Sequence, residues 1–371
     1  MSKNQAEIPF TELVERASEL ARERVDVRGK IRGIVNDFYV REIPRKADWN
    51  FLMAQSTVTT VAEYTVGSVT ANTGATTLTF SSDVVITSAM VGRLVKISGN
   101  DYLYRINAMS GTTGATIVPP ISGDQNVSSA TYSIFQPFYP LAADFDRFPK
   151  NGGLVNYQGS AEEIIPEKAY QDWALDYSAT PVENPTKCRL YGYDTAGSTL
   201  LEMNPPPKID KSFRYDYFLR LSPMRETTAG FVNVSAAGTT VTGSAGTTRF
   251  TEATTGDYFR VDALGKSGDS EWYRIIAITN NSSLTLQTAF GLSGVTSANY
   301  TICRAPYIPY KLHPAILYGS LLQLVADQDD PMYVAYNMKL AEVLSDGKRL
   351  YTSRIYSQDI HHLGEEYRYR Y

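Results

Sequence analysis

Residues 92–96 read Gly-Arg-Leu-Val-Lys, and the strand-like segment at residues 104–108 reads Tyr-Arg-Ile-Asn-Ala. The same order returns later in the chain, where residues 256–260 read Gly-Asp-Tyr-Phe-Arg and residues 273–277 read Tyr-Arg-Ile-Ile-Ala. Each copy starts at a glycine, continues with a short run that includes apolar residues and then reaches a Tyr-Arg-Ile segment. Ordered self-similarity of this kind indicates a duplicated structural module.

The spacing inside the two copies also agrees. Tyr104 and Tyr132 lie 28 residues apart, and Tyr273 and Tyr300 lie 27 residues apart. Short alternating runs, such as Thr-Leu-Thr-Phe at residues 77–80, are separated by Gly-rich turns, which is typical of a small β-sandwich or barrel. The repeat therefore predicts two all-β modules.

Outside the repeat, the two ends of the chain show the periodicity of amphipathic helices. Residues 10–22 predict a first helix with Thr11 as its cap, and residues 28–43 predict a second. Near the other end, His313-Pro314 and Asp330-Pro331 each predict a helix start with proline in the first turn. The helices thus lie at opposite ends of the chain, with the repeat between them.

These patterns predict an α+β fold: a helical bundle from the N- and C-terminal helices plus a small antiparallel sheet, with two inserted, duplicated all-β sandwich or barrel modules. Insertion of whole modules is compatible with one core because the entropy of loop closure grows slowly with loop length. The predicted ranges are 1–65 with 305–353 for the helical core, 66–136 for the first β-module, 137–228 for the central sheet, 229–304 for the second β-module and 354–371 for a C-terminal docking arm.

Composition narrows the classes of partner. The net charge is −4, so the chain has no excess of basic residues of the kind that nucleic-acid-binding proteins carry. The 26 tyrosines, against 14 phenylalanines, suit strand surfaces and protein interfaces, because tyrosine combines an apolar ring with a polar tip. The polar start of the chain and the lack of a membrane-length apolar run predict synthesis in a cytoplasm and no membrane partner.

The two cysteines, Cys188 and Cys303, are far apart and form no Cys-x-x-Cys pair. This spacing argues against zinc and iron–sulfur sites. A disulfide between them and two buried free thiols both fit the sequence, and cytoplasmic synthesis favours the thiols.

Residues that could carry chemistry do not form a recognisable site. The adjacent His361 and His362 diverge on either a helix or a strand, which suits metal binding poorly. The acidic run Asp327–Asp330 lacks the Gly and Glu of a calcium loop, so capping of the next helix is favoured. Nothing marks Asp144 and Asp146 as a catalytic pair, and no nucleophile-elbow, phosphate-loop or zinc-protease motif is present. We therefore predict a protein that is not an enzyme, without catalytic residues, cofactor or metal.

Aromatic residues of the modules suggest a second class of function. Tyr104 and Tyr273 occupy matched positions, so we interpret them as core residues of each copy. Tyr102 and Trp272 are left as a possible contact surface of the β-modules. Since aromatic rings bind sugars by stacking, the alternative function is a phage tail or surface adhesin whose twin modules bind glycans.

The chain ends in Tyr-Arg-Tyr-Arg-Tyr at residues 367–371. As an extended strand, this segment would place three tyrosines on one face and two arginines on the other. Such a segment can add itself to a neighbour's sheet edge. A frayed terminus is the alternative, but the aromatic content favours docking.

With both modules removed, the order of the remaining features resembles the head-to-tail adaptor, or connector, proteins of tailed bacteriophages. The resemblance covers roughly 220 residues in dispersed pieces. In chain order, the features that carry it are Phe-Thr-Glu-Leu-Val at 10–14, Val-Asn-Asp-Phe-Tyr at 35–39, Trp-Asn-Phe-Leu at 49–52, Thr-Val-Thr-Thr-Val-Ala-Glu-Tyr at 57–64, the strand and Pro-rich run at 200–207, the strand at 215–219 and the closing helices from Tyr310.

The resemblance implies a structural virion protein that forms a ring, expected to be twelvefold, between the portal and the tail. It implies partners in the portal and in tail nozzle or tail fibre proteins, and passage of DNA through the ring without specific binding. The virion neck would be its location. The residues of the arm that would dock on the portal are Ile355, Tyr356, Leu363, Tyr367, Arg368, Tyr369, Arg370 and Tyr371. The two modules depart from the family's compact form, so the resemblance implies no role for them.

Overall fold

The structure is a computed structural model of the chain. It describes residues 7–21, 28–100, 102–122, 126–149, 154–156, 163–166, 180–244, 246–262, 271–291, 293–325 and 330–352, with the backbone alone at 28–29, 154–156 and 163–166. The chain divides into two compact units. One comprises residues 53–220, and the other combines residues 1–52 with residues 221–371.

The predicted α+β fold with a helical bundle is wrong, because the described residues contain more strand than helix and the strands form the large sheets. Within the described ranges, only four α-helices have ten or more residues, whereas the strands form two eight-stranded sheets and one seven-stranded sheet. The helices Phe10–Leu20 and Arg28–Asp37 contact the helix His313–Leu324. They are also hydrogen-bonded to loops next to the strands of their unit, as Phe10 is to Arg304 and Asn36 is to Met224, so they form a small layer on a β-structure and not a separate bundle. No helix in these ranges combines the length and the hydropathy needed to cross a membrane.

The unit of residues 53–220 contains two sheets. Its strands are β1 (Met53–Thr59), β2 (Val69–Ala71), β3 (Thr77–Phe80), β4 (Leu94–Ile97), β5 (Leu103–Met109), β6 (Gly114–Val118), β7 (Val127–Ala130), β8 (Tyr132–Phe135), β9 (Phe138–Pro140), β10 (Phe145–Arg147), β11 (Leu154–Asn156), β12 (Glu163–Pro166), β13 (Lys187–Tyr193), β14 (Thr199–Asn204) and β15 (Ser212–Leu219).

The first copy of the repeat forms the seven-stranded sheet, in the order β7-β2-β3-β6-β5-β4-β8. Only Thr131 separates β7 from β8, which are the two ends of this order, so the sheet closes on itself as a small barrel. Inward-facing residues alternate along the strands, as in the buried Leu78 and Phe80 of β3, and fill the barrel with apolar side chains.

The remaining strands of this unit form the central sheet, in the order β1-β15-β11-β12-β13-β14-β9, with β10 also paired to β15. Strand β15 runs antiparallel to β1 along seven residue pairs, from Met53 opposite Phe218 to Thr59 opposite Ser212. The core beneath the sheet is rich in aromatic residues, including Tyr139, Tyr215 and Tyr217.

The second unit contains the helices and the second copy of the repeat. Its elements are α1 (Phe10–Leu20), α2 (Arg28–Asp37), a π-helical turn (Phe38–Glu42), α3 (Ile43–Lys46), β16 (Glu226–Thr227), β17 (Val232–Val234), β18 (Thr240–Gly243), β19 (Tyr258–Val261), β20 (Tyr273–Asn280), β21 (Ser283–Leu286), β22 (Val295–Ala298), β23 (Tyr300–Cys303), α4 (His313–Leu324) and α5 (Pro331–Tyr351).

The second sheet repeats the pattern of the first: its order is β16-β23-β19-β20-β21-β18-β17-β22, and only Asn299 separates β22 from β23. Backbone details recur as well. Ser129 and Ser297 both have positive φ angles, of 47° and 50°. The chain turns at Gly92 and Gly256, where the φ angles are 89° and 99°. Residues other than glycine rarely adopt such angles. The repeat in the sequence therefore corresponds to a repeat in the backbone.

Helix α1 is held against the second sheet. The backbone N–H of Phe10 donates to the carbonyl of Arg304 over 3.0 Å. Thr11 lies inside the helix and donates its hydroxyl to Glu226, while Pro9 takes the capping position, so the predicted cap was misplaced. The proline starts predicted for α4 and α5 are confirmed, and Asp330 caps α5 by accepting from the N–H of Met332 over 2.8 Å.

Candidate interaction surfaces

The matched tyrosines of the repeat are core residues, as interpreted from the sequence. Tyr104 and Tyr273 are buried in their sheets. The Tyr104 hydroxyl accepts from the N–H of Ser122 over 3.1 Å, and the Tyr273 hydroxyl accepts from the N–H of Gly291 over 2.9 Å. The same loop-anchoring hydrogen bond therefore occurs in both copies, and neither ring is open to a ligand.

The two residues proposed as a module contact surface, Tyr102 and Trp272, have different environments. Tyr102 is 54% exposed, whereas Trp272 is only 8% exposed. The guanidinium of Arg260 lies 4.4 Å from the centre of the Trp272 ring and donates to both carboxylate oxygens of Glu15, over 2.6 and 3.0 Å. The expectation of Trp272 at the surface is corrected accordingly, because helix α1 holds this arginine over the ring.

Asp144 and Asp146, the two carboxylates considered as a catalytic pair, form hydrogen bonds with different partners. Asp144 accepts from the Tyr217 hydroxyl over 2.7 Å, which contributes with burial to a raised tyrosine pKa. Asp146 accepts from its neighbour Arg147 over 2.8 Å. The two side chains therefore stabilise local structure. Asp327 to Asp329 and the pair His361 and His362 lie outside the described residues.

Both cysteines are buried free thiols, so the favoured reading of the pair is confirmed. Burial raises the pKa of the Cys188 thiol and of the Cys303 thiol to about 12. Both remain protonated and unreactive near neutral pH.

His313 is a fully buried link between the start of the chain and α4. Its Nδ1 accepts from the N–H of Ile8 over 3.0 Å, and its Nε2 lies 3.0 Å from the carbonyl of Ile308. Both contacts are satisfied by a neutral ring with its proton on Nε2. Burial lowers the pKa of His313 below its ordinary value, with the Ile308 carbonyl and the charge of Glu7 opposing the shift.

This link predicts a pH dependence of stability. The unfolded histidine binds a proton below about pH 6.5, whereas the folded ring resists protonation, so stability is lost as the pH falls below that value. We expect the difference in unfolding free energy between the natural chain and His313→Gln to be largest at pH 7.5 and to shrink towards pH 5, measured by urea unfolding. A difference that stays constant over this range would contradict the link.

Helix α5 presents a largely uncovered apolar face. Of its 21 residues, only Tyr336, Leu340 and Gly347 are buried, and they lie on one side of the helix. Among the other residues of the helix, Met338 is 69% exposed and Val334 is 51% exposed. These two are one helical turn apart and form one surface. The sequence predicted only the start of this helix, and no local pattern predicts which of its faces stays exposed.

A second exposed surface, which is aromatic, lies on the central sheet at the β13–β14 hairpin. Tyr191 and Phe138 have ring centres 4.6 Å apart, and the Arg189 guanidinium lies 5.6 Å from the Tyr191 ring. Arg189 also pairs with the buried Glu202 over 2.5 Å. Burial raises the pKa of Glu202, and Arg189 opposes this shift. Tyr193, on the same strand, is exposed.

The exposed loop before α4 carries a third aromatic surface, formed by Tyr307 and Tyr310. The N–H of Tyr307 donates to the hydroxyl of the buried Tyr39 over 2.9 Å, which fixes the loop on its unit. The arm residues Ile355, Tyr356, Leu363, Tyr367, Arg368, Tyr369, Arg370 and Tyr371 lie outside the described residues.

The described surfaces are thus apolar and aromatic, and they are distributed over both units. Surfaces of this composition suit contacts with other proteins. A comparison with protein-family models found no match for the chain, and a comparison with curated proteins found none either.

Proposed function

We propose that this protein is a structural subunit of a tailed-bacteriophage virion, a head-to-tail adaptor that forms a ring between the portal and the tail. Its partners would be the portal, tail nozzle or tail fibre proteins and further copies of itself, with DNA passing through the ring unspecifically. The order of features described above supports the class of protein. The apolar face of α5 supports a role in assembly.

The α5 face is the observation on which the proposal depends most. Val334 and Met338 form a contiguous exposed apolar surface, and contiguous apolar surface is where partner proteins commonly bind. The heterologous interfaces of a ring bury one patch of each subunit against a different patch of the next. A helix exposed along most of its length offers such a patch, and the aromatic surfaces at Tyr191 and Tyr307 offer others.

Native mass spectrometry of the chain, alone and mixed with the portal of the same virus, tests this proposal. We expect a ring complex with the portal, lost when residues 354–371 are deleted, because the arm contributes the docking area. Val334→Asp and Met338→Asp should weaken the ring, since each places a charge on the apolar face. Asn337→Asp is the matched control on an exposed position of the same helix.

The same measurement separates the second candidate, an adhesin that binds glycans. The exposed ring of Tyr191, beside the tilted ring of Phe138, favours it, since sugars bind to aromatic rings by stacking. A stable trimer that ignores the portal would contradict the adaptor proposal and support the adhesin.

A further inference from the structure

Strand β1 is an edge of the central sheet. It pairs with β15 on one side, and no strand in the described part of the chain lies on its other side. Its residues, Met53–Thr59, read Met-Ala-Gln-Ser-Thr-Val-Thr, and their register with β15 has no bulge. Natural proteins protect edge strands with charges, proline, bulges or short length. Strand β1 has none of these protections.

The other sheet edges in the described ranges are protected. The opposite edge of the central sheet, β9, has three residues and ends in Pro140, and the Gln136 side chain donates to the Phe138 carbonyl over 2.8 Å. The two repeat sheets close through Thr131 and Asn299, while β10 and β16 have only three and two residues. Strand β1 is therefore an exception that requires an explanation.

The backbone groups that β1 offers follow from the ladder. Thr60 donates its N–H to the Lys211 carbonyl over 2.8 Å, and these two residues continue the register of β1 with β15. In an antiparallel pair, alternate residues hydrogen-bond to the partner strand and the others point away from it. Gln55 and Thr57 therefore direct their N–H and C=O groups to the open side.

The side chains of β1 define what a strand on this edge must carry. Towards the core, Ala54 and Ser56 are small and half-buried, which leaves room beside the aromatic core for large rings. Towards solvent, Gln55 donates to Asp216 over 2.9 Å, so a carboxylate lies one strand away from the edge at this position, whereas Arg214 lies opposite Thr57 on the same face. The edge therefore suits a strand that alternates aromatic residues beside Ala54 and Ser56 with a cationic residue beside Gln55.

The chain itself ends in such a sequence, Tyr-Arg-Tyr-Arg-Tyr at residues 367–371. We propose that β1 binds this segment of a second copy as an added strand, with its tyrosines over Ala54 and Ser56 and one of its arginines towards Asp216. The fourteen residues between Thr352 and Tyr367 can span up to about 50 Å, so the last five residues can lie far from the end of α5.

This inference rests on the proposed ring, because a strand passed from each copy to the next is a heterologous contact that closes with the ring. It divides the arm into two parts. Ile355, Tyr356 and Leu363 would contact the portal, and the last five residues would join neighbouring subunits.

Cross-linking between two differently tagged full-length chains tests the proposal. One chain carries Ser56→Cys and the other Tyr369→Cys, and the natural cysteines are buried, so they contribute little background. We expect a mixed disulfide under mild oxidation, at least several-fold more abundant than with Arg368→Cys, the matched control on the opposite face of the added strand. Absence of the mixed disulfide for Cys at 367, 369 and 371 alike would overturn the proposal.

A backbone variant provides a second test. Thr57→Pro removes an N–H that points to the open side, so the pairing with β15 stays intact, whereas Thr57→Val keeps that N–H. We expect Thr57→Pro to lose the mixed disulfide and Thr57→Val to retain it, with thermal unfolding checked for both. If Thr57→Pro does not fold, the yields of mixed disulfide from Arg368→Cys and Tyr369→Cys still decide whether the segment binds to β1.

The outcomes separate this inference from the proposed function. A disulfide that forms only within one chain carrying both substitutions would overturn the second copy as the occupant. A portal complex without the mixed disulfide would overturn this inference alone. Mixed disulfides in a chain that ignores the portal would leave this inference standing and overturn the adaptor.

Discussion

Replacing Trp49 with alanine is expected to lower the free energy of unfolding by about 3–5 kcal/mol, because a fully buried indole is removed and leaves a cavity. Trp49 joins distant parts of its unit. Its Nε1–H donates to the Ile43 carbonyl over 2.7 Å, its ring stacks on Phe51 with centres 5.5 Å apart, and its backbone forms a β-bridge with Thr352. The substitution also leaves that carbonyl without its donor.

Differential scanning calorimetry measures this effect as a fall in melting temperature of roughly 6–20 °C for a unit of this size. Trp49→Phe is the matched control, since it loses the Nε1–H hydrogen bond as well but keeps an aromatic ring that fills most of the volume. We expect a clearly smaller fall for this variant. Equal losses for the two variants would show that the hydrogen bond, not the filled volume, carries the effect.

Gly319→Ala is expected to destabilise the same unit through overpacking. A Cβ at this position of α4 would lie 2.0–2.4 Å from three ring carbons of Phe38, which is itself buried. The ring cannot move aside freely, so the two elements must separate, at a cost of about 1–3 kcal/mol or somewhat more. Thermal or urea unfolding of the purified variant measures the loss.

Gly33→Ala is the matched control and should change stability in the opposite direction. Gly33 lies in α2 with no atom within 4 Å of the position that a Cβ would take. Alanine is favoured over glycine in helices by about 0.8–1 kcal/mol, so this variant should be more stable than the natural chain. If both glycine variants are destabilised alike, the contact with Phe38 is not the cause.

Local patterns predicted the elements better than their assembly. The proline-led starts of α4 and α5 and the buried tyrosines of the repeat follow from residues close together in the chain. The helical bundle was wrong because an amphipathic stripe shows that a helix has a buried face, but not what covers it. In the structure, α1 is hydrogen-bonded to Arg304 and Arg260, which lie 245 or more residues away in the sequence.

The candidate surfaces show the same difference between what local patterns predict and what the packing of the chain determines. Tyr102 and Trp272 look alike as aromatic residues before matched strands, yet only Trp272 is covered, because Glu15 holds Arg260 against it. The α5 face was missed because exposure is a property of the packed chain. Met338 is as apolar as many core residues, and no signal in its neighbours shows that nothing covers it.

The amino-acid sequence by itself determined the repeat, the glycine turns and the helix starts, because these depend on backbone preferences and on alternation within a few residues. The tertiary structure alone decided which strands are edges. Strand β1 pairs with β15 more than 150 residues away, and its open side depends on where every other strand of the sheet lies. Strand order follows from long-range packing, which short-range patterns do not encode.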